Sequence, residues 1–329
     1  MGGEIMKKLT IAALAMSMMT GTAFAEPLSL MLNWKAGGDH APLYYAQQEG
    51  WFTEAGVDLE IIQGNGSGAA ATALSVGQVD MAIVDMPTAL QFKGEGSDIV
   101  GVFVAYNDSA NGIYWKKSSG IETVADLAGR KLGAPASDAA RQFWGPIAKA
   151  INVDPDSVEW VNIQPTAKVA ALQSGAIEAT THMYSVHFVY EDVFGDDLGF
   201  ALLRDNGLNP YGLTYFANAG AIANKHDTIK AMVQVTQRAF AFCLETPEPC
   251  SQALSSAVSM KAEDAARELE YASLVIPGQG NTLPVGAFSA ERVAADYALV
   301  SEAFDITAFD PNSAFTNEFI DEGISYPTP

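Results

Sequence analysis

The sequence predicts an α/β protein of two lobes enclosing a ligand cleft. Three observations carry the prediction. Strand-like and helix-like segments alternate along most of the chain, the pattern of sheets flanked by helices. Two segments repeat: "ALSVGQVDMA" (73–82) and "ALQSGAIEAT" (171–180) share Ala-Leu, a glycine two residues before an apolar position, and then an acid. The chain has 329 residues, beyond the size at which a single core usually stops growing.

The elements follow in order. Met6-Lys7-Lys8 is a basic start, "LTIAALAMSMM" an apolar run, and "TGTAFA" ends in Ala23-Phe24-Ala25. This reads as a secretory signal over residues 1–25, with Met6 as the true start and cleavage after Ala25. It places the mature protein in the periplasm. The run falls short of the about 20 residues that span a bilayer, and no cysteine at the cleavage point invites a lipid anchor. "LSLML" and "VDLEII" read as strands, "GAAATALSVG" as a helix, and "QVDMAIVD" and "DIVGVFVAY" as strands. Then come "RKLGAP" (strand), "DAARQFWGPIAKAI" (helix), "VEWVNI" (strand) and "PTAKVAALQSG" (helix), all in parallel sheets. Gly77 and Gly175 stop the two repeated helices as C-terminal caps.

The repeat assigns residues 26–112 and 211–329 to a first, discontinuous lobe and 113–210 to a second. The chain returns through "NPYGLTYFAN", so two crossings form the hinge. From "NKHDTIKAMVQVTQRAFAFC" onward the pattern is helical and is expected to wrap the first lobe without contributing site chemistry. Cys243 and Cys250 frame "CLETPEPC". In an oxidising compartment this close pair reads as a disulfide, and no histidine lies nearby to suggest a metal or redox site.

Charge narrows the partners. Without Lys7, Lys8 and Glu4 the chain keeps 16 basic against 38 acidic residues. Nucleic acid and anionic lipid are therefore disfavoured, and solubility accounts for most of the acidity.

Ligands of open α/β sheets bind beyond the carboxyl ends of the strands. Those ends are Asn33–Trp34, "QGNGSG", Asp85–Met86 and Tyr106–Asn107 in the first lobe, and "APASD", Gln164 and His182–Tyr184 in the second. Asp85 and His182 hold roughly equivalent places in the repeats and could face one another. "GNGSGAAA", with Asn65 and Ser67, fits a ligand-contacting loop, a plain tight turn or, least well, a G-x-G-x-x-A dinucleotide loop. No Lys-Ser/Thr follows, so it is no phosphate-binding P-loop. Trp34 suits a stacking plate or core packing. Asp39 suits an acceptor or a helix cap. His40 belongs to the pocket or to an exposed helix start, and one of Tyr44 and Tyr45 packs inward while the other reaches the cleft. Ser137 and Asp138 open a helix, as caps or as a source of ligand-facing N–H groups. Arg141, one turn in, could reach an anion. His182 and His187 are too irregularly placed for a metal pair, and no G-x-S-x-G elbow anchors a hydrolase triad. No cofactor and no metal are expected.

"NWKAGGDHAPLYYAQQEGWFTEAGVDLEI", "GSGAAATALSVGQVDMAIVD" and "ETVADLAGRKLGAP", in that order, resemble the periplasmic substrate-binding proteins of ABC importers for nitrate, sulfonates, taurine and thiamine pyrimidine precursors. The resemblance implies a type II periplasmic binding fold, two α/β lobes on a two-strand hinge, with a small-molecule ligand and an inner-membrane permease and ATPase as partners. "NW", a short glycine-containing loop and His-x-Pro/Gly-x-Tyr look most like the pyrimidine-precursor binders. There, an aromatic sandwich holds the ring and acidic side chains take its amino groups, which makes Trp34, Asp39, His40, Tyr44 and Asp85 candidates. Such a ring needs stacking and acceptors for its N–H groups, whereas a sulfonate needs donors and often arginine. The candidate strand ends carry several carboxylates and few cations, Lys35 and Arg141 being the nearest in sequence. This favours a neutral or cationic ligand such as an aminopyrimidine, with sulfonate, taurine or nitrate as the alternative. A binding protein and not an enzyme is expected, acting as a monomer. The rival class, a pyrimidine enzyme on the same fold, would resemble a synthase whose cysteine-rich iron stretch is missing here, and an exported sensor module is a third reading.

Overall fold

The computed structural model describes residues 25–327. The secretory signal therefore falls outside the described residues, apart from Ala25. Among the described residues no helix is long and apolar enough to cross a membrane.

Ten strands among the described residues form two five-stranded sheets. They are β1 (Glu26–Met31), β2 (Val57–Ile62), β3 (Met81–Asp85), β4 (Ile99–Val104), β5 (Asn111–Lys116), β6 (Lys131–Gly133), β7 (Glu159–Val161), β8 (Ala179–Met183), β9 (Leu198–Leu202) and β10 (Leu213–Asn218). The orders are β2-β1-β3-β10-β4 and β7-β6-β8-β5-β9. The two sheets share one plan down to the register. Leu30 is paired with Ile61 and Met81, and Leu132 with Trp160 and Ala179. Leu213 opposes Asp85 as Asn111 opposes Met183. Thr214 opposes Val104 as Gly112 opposes Leu202. The string repeat at 73–82 and 171–180 is thus the visible part of a duplicated sheet.

Two expectations are corrected here. The sheets are mixed, because β10 runs antiparallel to β3 and β4, and β5 antiparallel to β8 and β9. The cause is topological: β4 and β9 end at the cleft, so a chain crossing directly from either one enters the other sheet at its cleft end and runs backwards. The register also equates Asp85 with Met183, one residue past His182, and a one-residue offset reverses the side of the sheet that a side chain faces.

Thirteen helices flank the sheets among the described residues: α1 (Ala41–Gln48), α2 (Trp51–Glu54), α3 (Ser67–Ser75), α4 (Met86–Gly94), α5 (Ala139–Gln142), α6 (Trp144–Ala150), α7 (Lys168–Ser174), α8 (His187–Phe194), α9 (Ala219–Asn224), α10 (His226–Glu245), α11 (Pro247–Ala257), α12 (Ala262–Ser273) and α13 (Ala290–Ala303). Gly77 and Gly175 close α3 and α7 with left-handed φ of +69° and +76°, the conformation that glycine adopts without a Cβ penalty. The single helix expected over "DAARQFWGPIAKAI" breaks at Phe143 into α5 and α6. Pro146 lacks an N–H and its ring would collide with the carbonyl of Gln142 in a continuous helix, so the chain restarts with the proline in a first turn.

The two crossings, 105–110 and 207–212, run side by side. Ala105 and Tyr106 N–H groups donate to the Leu213 carbonyl at 2.9 and 3.0 Å, and Gly212 N–H donates to the Tyr106 carbonyl at 3.0 Å. Asp108, 2% exposed as a side chain, ties them further by accepting from Asn209 at 2.9 Å and pairing with Arg204 at 3.2 Å.

The C-terminal helices do more than wrap the first sheet. α10 and α11 pack against α1, joined by the Cys243–Cys250 disulfide. α12 reaches across to α8, and α13 lies against both α4 and α6. One apolar core, including Leu74, Val84, Trp115, Ile147, Leu208 and Val300, is continuous between the sheets. Burial of this kind stabilises at roughly 25 cal/mol per Å² of apolar surface, so this core holds the two sheets together.

Candidate ligand-binding cleft

The segments that follow β1, β2, β6 and β8, with the start of β5, converge on a cleft lined by residues from both halves of the chain. Asn33, Trp34, Asp39, His40 and Ser67 line it from one side, and Asp138 and His182 from the other. These seven sequence candidates are brought together. Five are not part of the lining. Tyr44 is 8% exposed and packs in the core under α1. Tyr45 does not reach the cleft either, because it stacks on Phe242 at 4.8 Å. Tyr184 faces Phe200 and Tyr271 in an aromatic cluster beside the cleft. Asp85 sits just behind the wall, 3% exposed, accepting from the Asn111 amide at 3.1 Å.

Asn65 and Ser137 take a different part. Ser137 Oγ donates to the Asn65 carbonyl at 2.7 Å, and Gly68 N–H donates to the Ser137 carbonyl at 3.2 Å. The N–H groups expected to hold a ligand oxygen are in part spent on joining the two sides. Gly66, at φ +128°, lies so close to Ser137 that a Cβ would strike its carbonyl. Asp138 does cap α5, accepting from Arg141 N–H at 3.1 Å.

The near wall is built on Gly37 and Gly38. A Cβ on Gly38 would overlap the Ala265 carbonyl and the Leu269 nitrogen, and one on Gly37 would overlap the Glu268 carboxyl group. The glycine pair therefore admits α12 to the cleft, and Glu268 with it. Asp39 does not cap α1, whose N-terminus has no side-chain cap. Its carboxylate instead meets His40 Nδ1 at 2.8 Å, while His40 Nε2 faces Asn33 Oδ1 at 3.0 Å. Burial works against the Asp39 charge, but the adjoining imidazole and hydrogen bonds outweigh it and hold the carboxyl below its usual range. The buried Tyr106 hydroxyl lies near Asp39 and Ser185 and has no hydrogen bond of good geometry.

Glu268 is the contrasting group. It is 7% exposed, accepts from Gly38 N–H, and is pushed up to about 8 by burial and then by the Asp39 charge. Asp85 is pushed up to about 7, again by burial first and with Asp138 adding to it, while the Asn111 hydrogen bond works the other way.

The far wall rests on a buried ion pair. Lys168, 1% exposed, donates to Asp138 at 2.7 Å and to the Thr181 carbonyl at 2.6 Å. Its ammonium lies 4.9 Å from the centre of the Trp34 ring, a cation–π contact across the two halves. The His182 ring meets Trp34 edge-on at 6.1 Å and is hydrogen-bonded to the Tyr190 hydroxyl at 3.1 Å. Burial, reinforced by Lys168, holds its pKa well below the usual value, so it is neutral. Trp34 thus lines the cleft with Met183 and Val186, and among the described residues no second aromatic ring stacks on it.

Sequence reading missed Glu268, Lys168, Asn111 and Ser185. A signal for the first two exists. Ala265, Glu268, Leu269 and Ala272 make the buried stripe of α12 at helical spacing, and Lys168 shares the buried stripe of α7 with Leu172. A charge on an apolar stripe requires a partner or a task. Arg141, expected as an anion contact, turns away: it donates to the Ala134 carbonyl at 2.7 Å and lies over Trp160.

Comparison with known proteins agrees with this architecture. A thiamine-biosynthesis protein of Haemophilus influenzae is 25% identical over 73% of this chain and 76% of its own length. A 4-amino-5-hydroxymethyl-2-methylpyrimidine phosphate synthase of Legionella pneumophila is 22% identical over the same shares of the two chains. The alkanesulfonate-binding protein SsuA of Xanthomonas axonopodis pv. citri, solved with MOPS bound, superposes with a TM-score of 0.70 at 16% identity, over 89% of this chain and 99% of that one. That likeness, with the two sheets and the double crossing, establishes the two-lobed periplasmic binding protein fold found in solute binders of ABC importers. The model for the family described as "NMT1/THI5 like" matches residues 38–250, from Gly38 at the near wall to Cys250 of the disulfide, and the chain belongs to that family.

Proposed function

We propose that the protein is the exported solute-binding component of an ABC importer and that its cleft takes a small planar nitrogen heterocycle bearing an amino group, such as an aminopyrimidine precursor of thiamine. The observation that carries this reading is the pairing of an aromatic plate, Trp34, with the carboxyl groups of Asp39 and Glu268, neither of which is bridged by a lysine or arginine among the described residues. A stacking plate, with carboxyl groups to hydrogen-bond the amino group and ring nitrogens, is what such a ligand requires. The names of the two relatives point to the same chemistry. In this reading residues 26–112 with 211–329 and residues 113–210 are the two moving lobes. Asn33, Trp34, Asp39, His40, Ser67, Asp138 and His182 meet the ligand, and the closed protein docks on a permease in the inner membrane.

A sulfonate fits less well. Lys168 is neutralised by Asp138 and Arg141 is engaged elsewhere, which leaves Lys35 as the one lysine or arginine among the lining residues, against the carboxyl groups of Asp39, Asp138 and Glu268. The synthase names favour a second reading, an enzyme acting on a pyrimidine. Both cysteines of this chain are joined in one disulfide, which removes thiol chemistry and thiol ligation from that reading.

A thermal-shift panel on protein refolded to strip carried-over ligand tests the proposal. The panel holds aminopyrimidines, thiamine, taurine, alkanesulfonates and nitrate. At a thousandfold excess over its dissociation constant a ligand adds about 4 kcal/mol of stability, a large shift in melting temperature. A shift with an aminopyrimidine, without its consumption, supports the binder. A shift with sulfonates alone overturns the ligand class, and turnover of the pyrimidine by pure protein makes it an enzyme.

A further inference from the structure

α12 spans the side of the cleft. It packs on the tight turn Gly38–His40, and its outer side is tied to α8. Arg267 pairs with both oxygens of Asp192, Nη2 to Oδ1 at 2.9 Å, and lies 4.3 Å over the Phe188 ring. The Tyr271 hydroxyl donates to Glu191 at 2.5 Å. Glu268 lies between these anchors and lines the cleft. One of its oxygens accepts from Gly38 N–H; Oε1 has no hydrogen bond among the described residues. The helix lies beyond residue 250, where the family match ends.

We infer that Glu268 is a specificity-determining ligand contact: beside Asp39 it presents a hydrogen-bond donor next to an acceptor, the complement of the amidine edge of an aminopyrimidine, where a ring nitrogen accepts and the adjacent amino group donates. The inference rests on the function proposed above and names the edge of the ligand that is read. Two buried carboxyl groups in electrostatic contact do not both ionise. His40 beside Asp39 assigns the charge to Asp39; on Glu268 the Gly38 N–H works toward the charged form, but burial and the Asp39 charge outweigh it and no cation assists it. Glu268 thus keeps its proton at neutral pH, consistent with its rise to about 8 from burial and the Asp39 charge. The groups around it are Asp39 and His40 on the turn, Tyr106 after β4, and Asp264 on its own helix. Arg267 and Tyr271 are engaged with Asp192 and Glu191 of α8, where Tyr184 and His187 pack on Tyr271. α11, on the remaining side, carries only Glu248 as an ionisable group.

The test is calorimetric titration of refolded wild type, Glu268→Gln and Glu268→Leu with 4-amino-5-hydroxymethyl-2-methylpyrimidine and with the same ring lacking its amino group. A contact of this kind predicts that Glu268→Leu, or loss of the amino group, weakens binding about tenfold or more. Wild-type affinity falls as pH rises past about 8, when the donor is lost. Glu268→Gln, whose amide keeps a donor, retains binding without that fall. If both variants bind like wild type with the same pH profile, Glu268 is out of the site and the proposed function stands. If wild type binds neither pyrimidine, both ideas fall. Should the variants not fold, the wild type alone decides: an affinity for the aminopyrimidine that does not fall as pH rises past about 8 overturns the inference.

Discussion

Trp34 is the residue on which the cleft's affinity is expected to depend most. It is half-buried, one contact is committed to Lys168, and it lines the cleft. Trp34→Ala should weaken aminopyrimidine binding by about 1–3 kcal/mol, the usual worth of an aromatic plate under a base, with an unchanged circular dichroism spectrum. Lys168 calls for a different expectation. Removing it strands the Asp138 carboxylate in a buried site, a loss of about 3–5 kcal/mol, so Lys168→Met should unfold at markedly lower urea concentration. Adding Asp138→Asn should restore much of that loss. A third residue-scale prediction concerns pH. Glu268 and Asp85 hold their protons more tightly folded than unfolded, to about 8 and about 7. Stability without ligand should therefore fall as pH rises from about 6.5 to about 8, because the native state binds more protons in that window, whereas below it the neutral His182 works the other way. Asp39, held below its ordinary 3.8, acts oppositely and loses its contribution only as pH falls through its lowered value. Melting temperatures across pH for wild type and Glu268→Gln check this, the variant showing the flatter curve above neutrality.

At the scale of elements, the glycine pair and α12 are one device. Gly38→Ala sets a Cβ against the α12 backbone, which cannot yield, whereas Gly37→Ala meets the movable end of the Glu268 side chain. Gly38→Ala should thus cost more stability than Gly37→Ala, while both should weaken ligand binding; paired denaturation and titration curves would rank them. The same elements explain what the sequence made legible. Apolar alternation and two terminal glycines located β1 to β4, α3 and α7, because those signals are local. Strand ends then pointed to Asn33, Trp34, Asp39, His40, Ser67, Asp138 and His182, since the rule for open sheets needs only strand order. Glu268 and Lys168 stayed hidden because their partners are 230 and 30 residues away, a separation that no local pattern encodes. The reversal of β5 and β10 was hidden likewise, being set by where the crossings enter each sheet.

At the scale of the whole molecule, the duplicated sheets are joined by a continuous apolar core and both contribute to the cleft. Across the cleft the halves are joined by Ser137 to Asn65 and Gly68, by Lys168 against Trp34, and by α12 clasped to α8. Hinge closure that makes such contacts is a familiar way for a binding protein to report occupancy. X-ray scattering should show a smaller radius of gyration with ligand than without, and the difference should shrink in Arg267→Ala, which releases one clasp. The central claim is that this cleft takes an amino-bearing nitrogen heterocycle. Calorimetric titration of the stripped, refolded protein with 4-amino-5-hydroxymethyl-2-methylpyrimidine, and with taurine in parallel, tests it most directly. Saturable binding of the aminopyrimidine with no heat from taurine is the predicted result; tight taurine binding with no response to the pyrimidine would contradict it.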